Sequence, residues 1–410
     1  MLTPVSIYKN SEKLFKFAKI WWMKDLSSYG KAFLSYETPF YFYDMELLDR
    51  TLAEILRCSA AYGIQVRYAV KANVEEKILR RICACGIGAD CVSGGEVAHS
   101  LKCGFPKDRI VFAGVGKTDK EICGALGIEA FNVESIQELE VIDGIAGAAG
   151  VVADVSIRIN PGIDAHTHKY ITTGLEANKF GLTEEEFLPA ISLLSRLRNI
   201  RFTGLHFHIG SQITEVGDIY AMECKRASEV NGFFRDNGLV AEHIDLGGGL
   251  GVDYDTPDRN PIPDFDLWMR TIKENLAVEP GTRIMVEPGR SVVAQCGSLI
   301  TRVLFIKERK SRTFAVTDAG MNNLVRPALY GAFHKIDNIT GASNPLKAYD
   351  IVGPVCESSD VWGSGRQIPS CSRGDLLAIR SAGAYGSVMS STYNLREKAP
   401  SLFSDEINFI

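Results

Sequence analysis

Between Val66 and Val286 the chain repeats one pattern eight times: a short apolar run of β character, then a stretch with helical spacing. The runs are Val66–Val70, Gly88–Val92, Ile110–Ala113, Ala130–Val133, Val155–Ile159, Phe202–His208, His243–Leu246 and Ile284–Val286. Segments such as Glu75–Ala84, Gly95–Cys103, Lys120–Leu126, Glu184–Leu197 and Ala221–Asn237 carry apolar residues at helical period between them. Eight alternating strand–helix units predict a TIM (β/α)8 barrel. Lys71, His208, Gly247–Gly249 and Glu287 all fall at the C-terminal ends of these runs. In such a barrel those ends share one face, where active sites lie, so these residues are expected to converge on one mouth.

Outside the barrel the pattern changes. SLITRVLFIKE, TFAVTDAG, KAYDIVGPV and DLLAIRSAGAYG are extended runs separated by turns. They predict a second, C-terminal β-rich domain. TPFYFYD (Thr38–Asp44) is a compact aromatic strand outside the eightfold series and is expected to join it. The expected division is residues 45–291 for the barrel and residues 1–44 plus 292–410 for the β-rich domain. A short helix around Glu12–Lys24 is the only element suggested before Thr38, and residues 1–37 receive no role.

Hydrophobic residues make up 46% of the 410 and charged residues 23%, which supports a large core rather than disorder. The net charge of -5 comes without a basic block, so neither nucleic acid nor an anionic membrane is expected as a partner. The N-terminal stretch interrupts its apolar residues with lysines, unlike a signal peptide. No run approaches the roughly 18 apolar residues of a membrane span. The ten cysteines are scattered without a C-x-x-C pair, which suits buried thiols in a reducing cytoplasm.

The chemistry starts at IMVEPGR (Ile284–Arg290). Glu287 can hydrogen-bond a protonated ring nitrogen, Gly289 permits close backbone approach, and Arg290 offers a planar fork to carboxylate or phosphate. YAVKAN supplies Lys71, an amine able to form an imine, which burial would free as a nucleophile from its ordinary pKa of roughly 10.4. A carboxylate for a pyridinium and a lysine for a Schiff base are what pyridoxal phosphate (PLP) asks of a protein. An ordinary strand end with a solvated lysine is the alternative for each motif taken alone. HFHIGSQ places His206 and His208 on one strand face. His208 suits stacking on an aromatic ring, Ser211 can donate to a phosphate, and His206 reads as a barrel-core residue. Metal ligation by the pair lacks a third ligand at suitable spacing, so no metal is expected. His166 and His168 fall in a polar stretch that reads as a solvated loop, whose closed position around His166–Asn178 the sequence leaves open. DLGGGLG can cradle a phosphate on backbone amides, although its consecutive glycines fail the dinucleotide pattern and an ordinary loop is the alternative. Cys356 and Glu357 sit in GPVCESSD, as a proton-delivering thiol beside an ammonium-binding acid or as a buried cysteine beside a surface acid. RPALY and SAGAYG offer Arg326, Tyr330 and Tyr385 at turns.

Taken together, YAVKAN, SGGE, RINPG, KFG, HFHIGSQ, GGGLG, EPGR, RPALY, GPVCESSD and GAYG, in that order, resemble the fold-type III PLP-dependent decarboxylases. The resemblance runs from about Thr38 to Arg396 and is strongest to the branch that acts on diaminopimelate. It implies that Lys71 bonds the cofactor, His208 stacks on its ring and Glu287 pairs with its nitrogen. Ser211, Gly247, Gly248, Gly249 and the backbone of Glu287, Pro288, Gly289 and Arg290 would hold the phosphate, with Tyr385 lining the pocket. Cys356 would protonate the carbon after CO2 leaves, Glu357 would bind the distal ammonium, and Arg290, Arg326 and Tyr330 the distal carboxylate. Cys356 and Glu357 would come from the partner subunit, giving a homodimer with shared sites.

The implied reaction is decarboxylation of meso-2,6-diaminopimelate to L-lysine, the last step of lysine biosynthesis. A substrate with an amino-acid group at each end needs its far end gripped while the scissile bond is aligned. Arginine and glutamate match a distal carboxylate and ammonium. Ornithine would leave buried arginines unpaired, at a cost on the order of 2–5 kcal/mol. The competing expectations are a sibling decarboxylase for ornithine, arginine or carboxynorspermidine, an alanine-racemase-like enzyme, and a non-catalytic PLP carrier. RPALY and the Cys-Glu pair argue against the ornithine form, and EPGR against the carboxynorspermidine form. The racemase needs a tyrosine in place of Cys356, and small PLP carriers lack a β domain.

Overall fold

The computed structural model describes residues 26–163 and 179–407. The helix suggested at Glu12–Lys24 and the loop with His166 and His168 lie outside them. The chain forms two compact units. Tyr254–Arg259 and Gln295–Ile410 belong to one with the residues up to Ala53, and Glu54–Asp253 with Asn260–Ala294 make the other. The first strand, β1 (Phe40–Tyr43), buries all four of its aromatic side chains.

The second unit is built on a closed barrel of eight parallel strands. They are β2 (Ile64–Ala69), β3 (Gly88–Cys91), β4 (Ile110–Phe112), β5 (Ala130–Val133), β6 (Ala153–Arg158), β7 (Ile200–His206), β8 (His243–Asp245) and β9 (Arg283–Val286). Closure is made by β2 against β9, with Val66 opposite Val286. All eight predicted runs are present, most of them ending a residue or two earlier. Lys71 sits not on the strand but in the 3-10 turn Val70–Ala72, and His208 lies two residues beyond β7. The polar residues follow the last ladder position because there the backbone is free to turn toward a ligand.

Local chemistry sets the helix starts. In SGGE, Ser93 Oγ accepts the Glu96 N–H and Glu96 returns a carboxylate oxygen to the Val92 N–H. Thr118 with Glu121 forms a capping box, and Ser135 caps Ile136–Ala148. Each such cap contributes about 1 kcal/mol. At the other end of the barrel Glu129 bridges Arg67 at 2.7 Å and Arg283 at 2.8 Å, joining β2, the start of β5 and β9.

The first unit is an eight-stranded sheet of β10 (Gly297–Glu308), β11 (Thr313–Thr317), β12 (Ile336–Asn338), β13 (Leu346–Val352), β14 (Val361–Pro369), β15 (Leu376–Ile379), β16 (Ser401–Phe403) and β1. The order β12-β15-β10-β11-β13-β14 is extended by β1, antiparallel to β10, and by β16, parallel to β1. The N-terminal aromatic strand therefore joins the β-rich unit, as its composition suggested. Phe40 and Phe42 pack with Tyr29, Phe33, Ile300 and Leu376 in one buried cluster. RPALY is a short helix, Arg326–Tyr330, rather than a turn, with Pro327 in its first turn, where a missing N–H costs nothing.

Candidate active site

Three neighbouring strands deliver the centre of the barrel mouth. His206 ends β7, Asp245 ends β8, and the two are register partners. Glu287 follows Val286, the last residue of β9. His206 Nε2 lies 3.1 Å from Glu287 Oε2, with both side chains buried. Burial, reinforced by the charge of Asp90 and opposed by Lys71 and Arg158, pushes the Glu287 carboxyl up to about 8. Burial likewise holds His206 down to about 4, so its imidazole is neutral near pH 7. Glu287 Oε1 is buried without a hydrogen-bond partner. An unpartnered buried acceptor costs free energy until a donor reaches it, and a protonated ring nitrogen is such a donor.

Lys71 Nζ lies 3.1 Å from Asp90 Oδ2, with a third of the lysine side chain exposed and Asp90 fully buried. The expectation of a buried lysine is corrected here: the amine sits at the rim, held by an ion pair. His208 is pushed well below the ordinary histidine pKa, by burial first and then by the charges of Lys71 and Arg158. Its Nδ1 accepts the Gly248 N–H at 3.2 Å, which places the proton of the neutral ring on Nε2.

The glycine cluster does something other than expected. Gly247 N–H donates to Asp245 Oδ1 at 2.8 Å and Gly248 N–H to His208, so two of the three amides assigned to a phosphate already have partners. The Glu287 N–H donates to Gly247 O at 2.6 Å, and Tyr220 Oη donates to Gly248 O at 3.0 Å. A Cβ at Gly248 would stand 2.2 Å from Glu287 O, so glycine there lets two loops touch. Gly289 is less tightly packed but still close, 3.0 Å from Ala69 Cβ by the same measure, and Pro288 O accepts the Ala69 N–H. Arg290 is buried and sends Nε and Nη2 to Ser211 Oγ at 3.3 and 2.9 Å. That cationic fork and hydroxyl fit a phosphate, as Glu287 Oε1 fits a ring N–H. The barrel residues therefore fit the two ends of pyridoxal phosphate.

The remaining expected residues belong to the β-rich unit. Arg326 is buried, donates to His334 Nε2 at 2.8 Å and lies over the Tyr254 ring at 4.8 Å. Tyr330 ends the same helix, half-buried. Cys356 and Glu357 are exposed, against the reading of a buried cysteine. Glu357 accepts the Tyr393 hydroxyl at 2.7 Å, and the Cys356 N–H donates to Asn394 Oδ1. Tyr385 adopts a left-handed φ of 55°.

His206, Asp90 and Asp245 were not singled out for a role at this centre. The signal available was a charged or imidazole side chain at the last or next-to-last residue of an otherwise apolar strand. His206 with Asp245 and Glu287 brings three ligand-type atoms within 4.8 Å, the third partner that spacing along the chain did not reveal. An ion there would take the carboxylate that the ring nitrogen needs.

The class is given by the family model for the pyridoxal binding domain of pyridoxal-dependent decarboxylases, which matches residues 48–294. A diaminopimelate decarboxylase of Bacteroides thetaiotaomicron is 49% identical over 92% of this chain and 97% of its own length. One from Neisseria meningitidis is 41% identical, covering 92% and 90%. The crystal structure of the Helicobacter pylori diaminopimelate decarboxylase complexed with L-lysine superposes with a TM-score of 0.87 at 39% identity, covering 93% of this chain and 95% of that one. The chain belongs to the diaminopimelate decarboxylase family of pyridoxal-dependent decarboxylases.

Proposed function

We propose that this chain decarboxylates meso-2,6-diaminopimelate to L-lysine and CO2 with pyridoxal 5'-phosphate as cofactor, closing lysine biosynthesis in the cytoplasm. The observation that carries the reading is the buried, unpartnered oxygen of Glu287 on the same barrel mouth as Lys71. Bound there, the cofactor supplies an electron sink for the bond to the departing carboxylate. Lys71 supplies the amine that holds it, with Asp90 fixing that amine between turnovers. Glu287 keeps the ring nitrogen protonated. His208, a neutral ring held through Nδ1, would stack on the cofactor ring. Ser211 and Arg290 take the phosphate, with the backbone of Gly249 and of Pro288–Gly289 beside them.

At the far end of the substrate, Arg326 and Tyr330 grip the distal carboxylate and Glu357 the distal ammonium, while Tyr385 lines the pocket and Cys356 returns a proton to the carbon that lost CO2. Arg290, engaged with Ser211, is better suited to the phosphate than to the distal carboxylate. The exposure of Cys356 and Glu357 in a single chain supports a homodimer in which the partner subunit's Cys356 and Glu357 complete each site. That none of the ten cysteines is in a disulfide supports a reducing compartment, and no helix among the described residues is long and apolar enough to cross a membrane. The test is a CO2-release assay offering meso-diaminopimelate, ornithine and arginine side by side, with the product identified. L-lysine from diaminopimelate, with the other two turned over at least about a hundredfold more slowly, is the expected result. Preference for ornithine or arginine refutes it.

A further inference from the structure

Glu287 does not stand alone under the ring nitrogen. Asp245 lies beside it on the next strand, and both are tied to one glycine: Gly247 N–H donates to Asp245 Oδ1 at 2.8 Å, and Gly247 O accepts the Glu287 N–H at 2.6 Å. Asp245 Oδ2 and Glu287 Oε1 are both buried without partners. Two adjacent buried carboxyl groups do not both ionise, so such a pair holds at least one proton at neutral pH.

The surrounding charges decide which of the two keeps it. Lys71, on the turn after β2, and Arg158, at the end of β6, act on Glu287 and favour its anion. Asp245 faces Glu287 from β9, Asp90 from β3 and His206 from β7, while Glu223 approaches from the helix Val216–Asp236. Among the described residues acting on Asp245, the titratable group that favours its anion is the His206 imidazole, and burial keeps that ring neutral. The side-chain atoms of Asp245, Glu287 and His206 lie within 4.8 Å of one another, and burial first, then the charge of Glu287, raise Asp245 well above the carboxylate range.

We propose that Asp245 is a positioning residue that remains a neutral acid in the loaded protein, where its O–H and the His206 N–H together hold Glu287 as the ionised partner of the ring nitrogen. The inference rests on Glu287 facing that nitrogen. The proton count balances: one proton on Asp245, one on the ring, one on His206 Nε2, and a single negative charge on Glu287 against the pyridinium. Such a clamp keeps the carboxylate from taking the ring's proton and from turning away.

The experiment is isotope-edited infrared spectroscopy of the PLP-loaded protein near neutral pH. We expect the carbonyl stretch of a protonated acid that moves when aspartate carboxyls are 13C-labelled and vanishes in Asp245→Asn. Glutamate labelling separates it from the buried Glu223. Asp245→Asn, which retains a donor, is expected to hold PLP within about threefold of the natural protein, and Asp245→Leu to lose about tenfold or more. Absence of a protonated aspartate band in the natural protein overturns the proposal even if no variant folds, as does a band that survives in Asp245→Asn. Glu287→Gln tests the underlying reading separately. If it leaves the absorbance of bound PLP and its pH profile unchanged, Glu287 does not face the nitrogen. A changed profile without an aspartic acid band sinks only the role of Asp245.

Discussion

A carboxyl held at about 8 by burial ties protonation to folding. The folded chain binds a proton at Glu287 that the unfolded chain releases near its ordinary value of about 4.3. The stabilisation from that proton is complete below the unfolded pKa and is lost as pH rises through about 8. His206 and His243 act on the opposite side. Both are held down to about 4, so their contribution is complete above the unfolded value of about 6.5 and is lost as pH falls through about 4. In cofactor-free protein, Glu287→Gln should therefore flatten the decline in unfolding free energy from about pH 6.5 up to about 8, while the histidine-driven loss on the acid side persists. Urea unfolding across the pH range measures both, and an unchanged decline up to about pH 8 discards the assignment. Lys71 and Glu287 were legible in the sequence because each follows an apolar run. His206, Asp90 and Asp245 were not, because which alternate side chains point into the barrel is fixed only when β9 closes on β2. The partners taken by the Gly247 and Gly248 amides were hidden for the same reason, since they depend on which loops meet across neighbouring strands.

The barrel strands were plain in the sequence, because eight apolar runs with helical spacers leave few other ways to bury them, whereas β12, β14 and β16, short or polar on one face, were not. The ends of the barrel strands were less plain: a ladder stops where its neighbour stops, which composition does not encode. β1 shows how a short segment far from its partners can still be assigned. Four aromatic residues in succession need cover on both faces: β10 and β16 pair with the two edges, the helical turns at Leu26–Phe33 cover Phe40 and Phe42, and the Tyr41 and Tyr43 hydroxyls reach Asn323 O and Ser387 Oγ. Phe42 is central there, with ring centroids 5.0 Å from those of both Tyr29 and Phe33. Phe42→Ala should cost about 3–5 kcal/mol, the usual range for removing a buried aromatic side chain. Chemical denaturation followed by a probe in the β-rich unit checks this, and a loss under about 1 kcal/mol would show that β1 is held mainly by its backbone ladder.

At the scale of the assembly, the question is where the acid that finishes the reaction comes from. A thiol that delivers a proton to carbon works from a site closed to water, yet Cys356 and Glu357 are exposed in the isolated chain. The Cys356 backbone and the Glu357 side chain are nonetheless held, by Asn394 and Tyr393 respectively, as suits a loop shaped to meet another surface. If two copies share their sites, each site draws its amine from one chain and its thiol from the other. Lys71→Ala and Cys356→Ala proteins are then each inactive, for different reasons. Mixing them equally yields heterodimers as half of all dimers, and in each of these one site pairs an intact Lys71 with an intact Cys356 while the other lacks both. About a quarter of the natural activity should return, given the two-fold symmetry of such a dimer. With self-contained sites no combination has both groups, and activity stays at the level of the single variants. Differently tagged chains recovered together establish that subunits have exchanged; exchange without recovered turnover would rule out shared sites and leave each chain to supply its own proton donor.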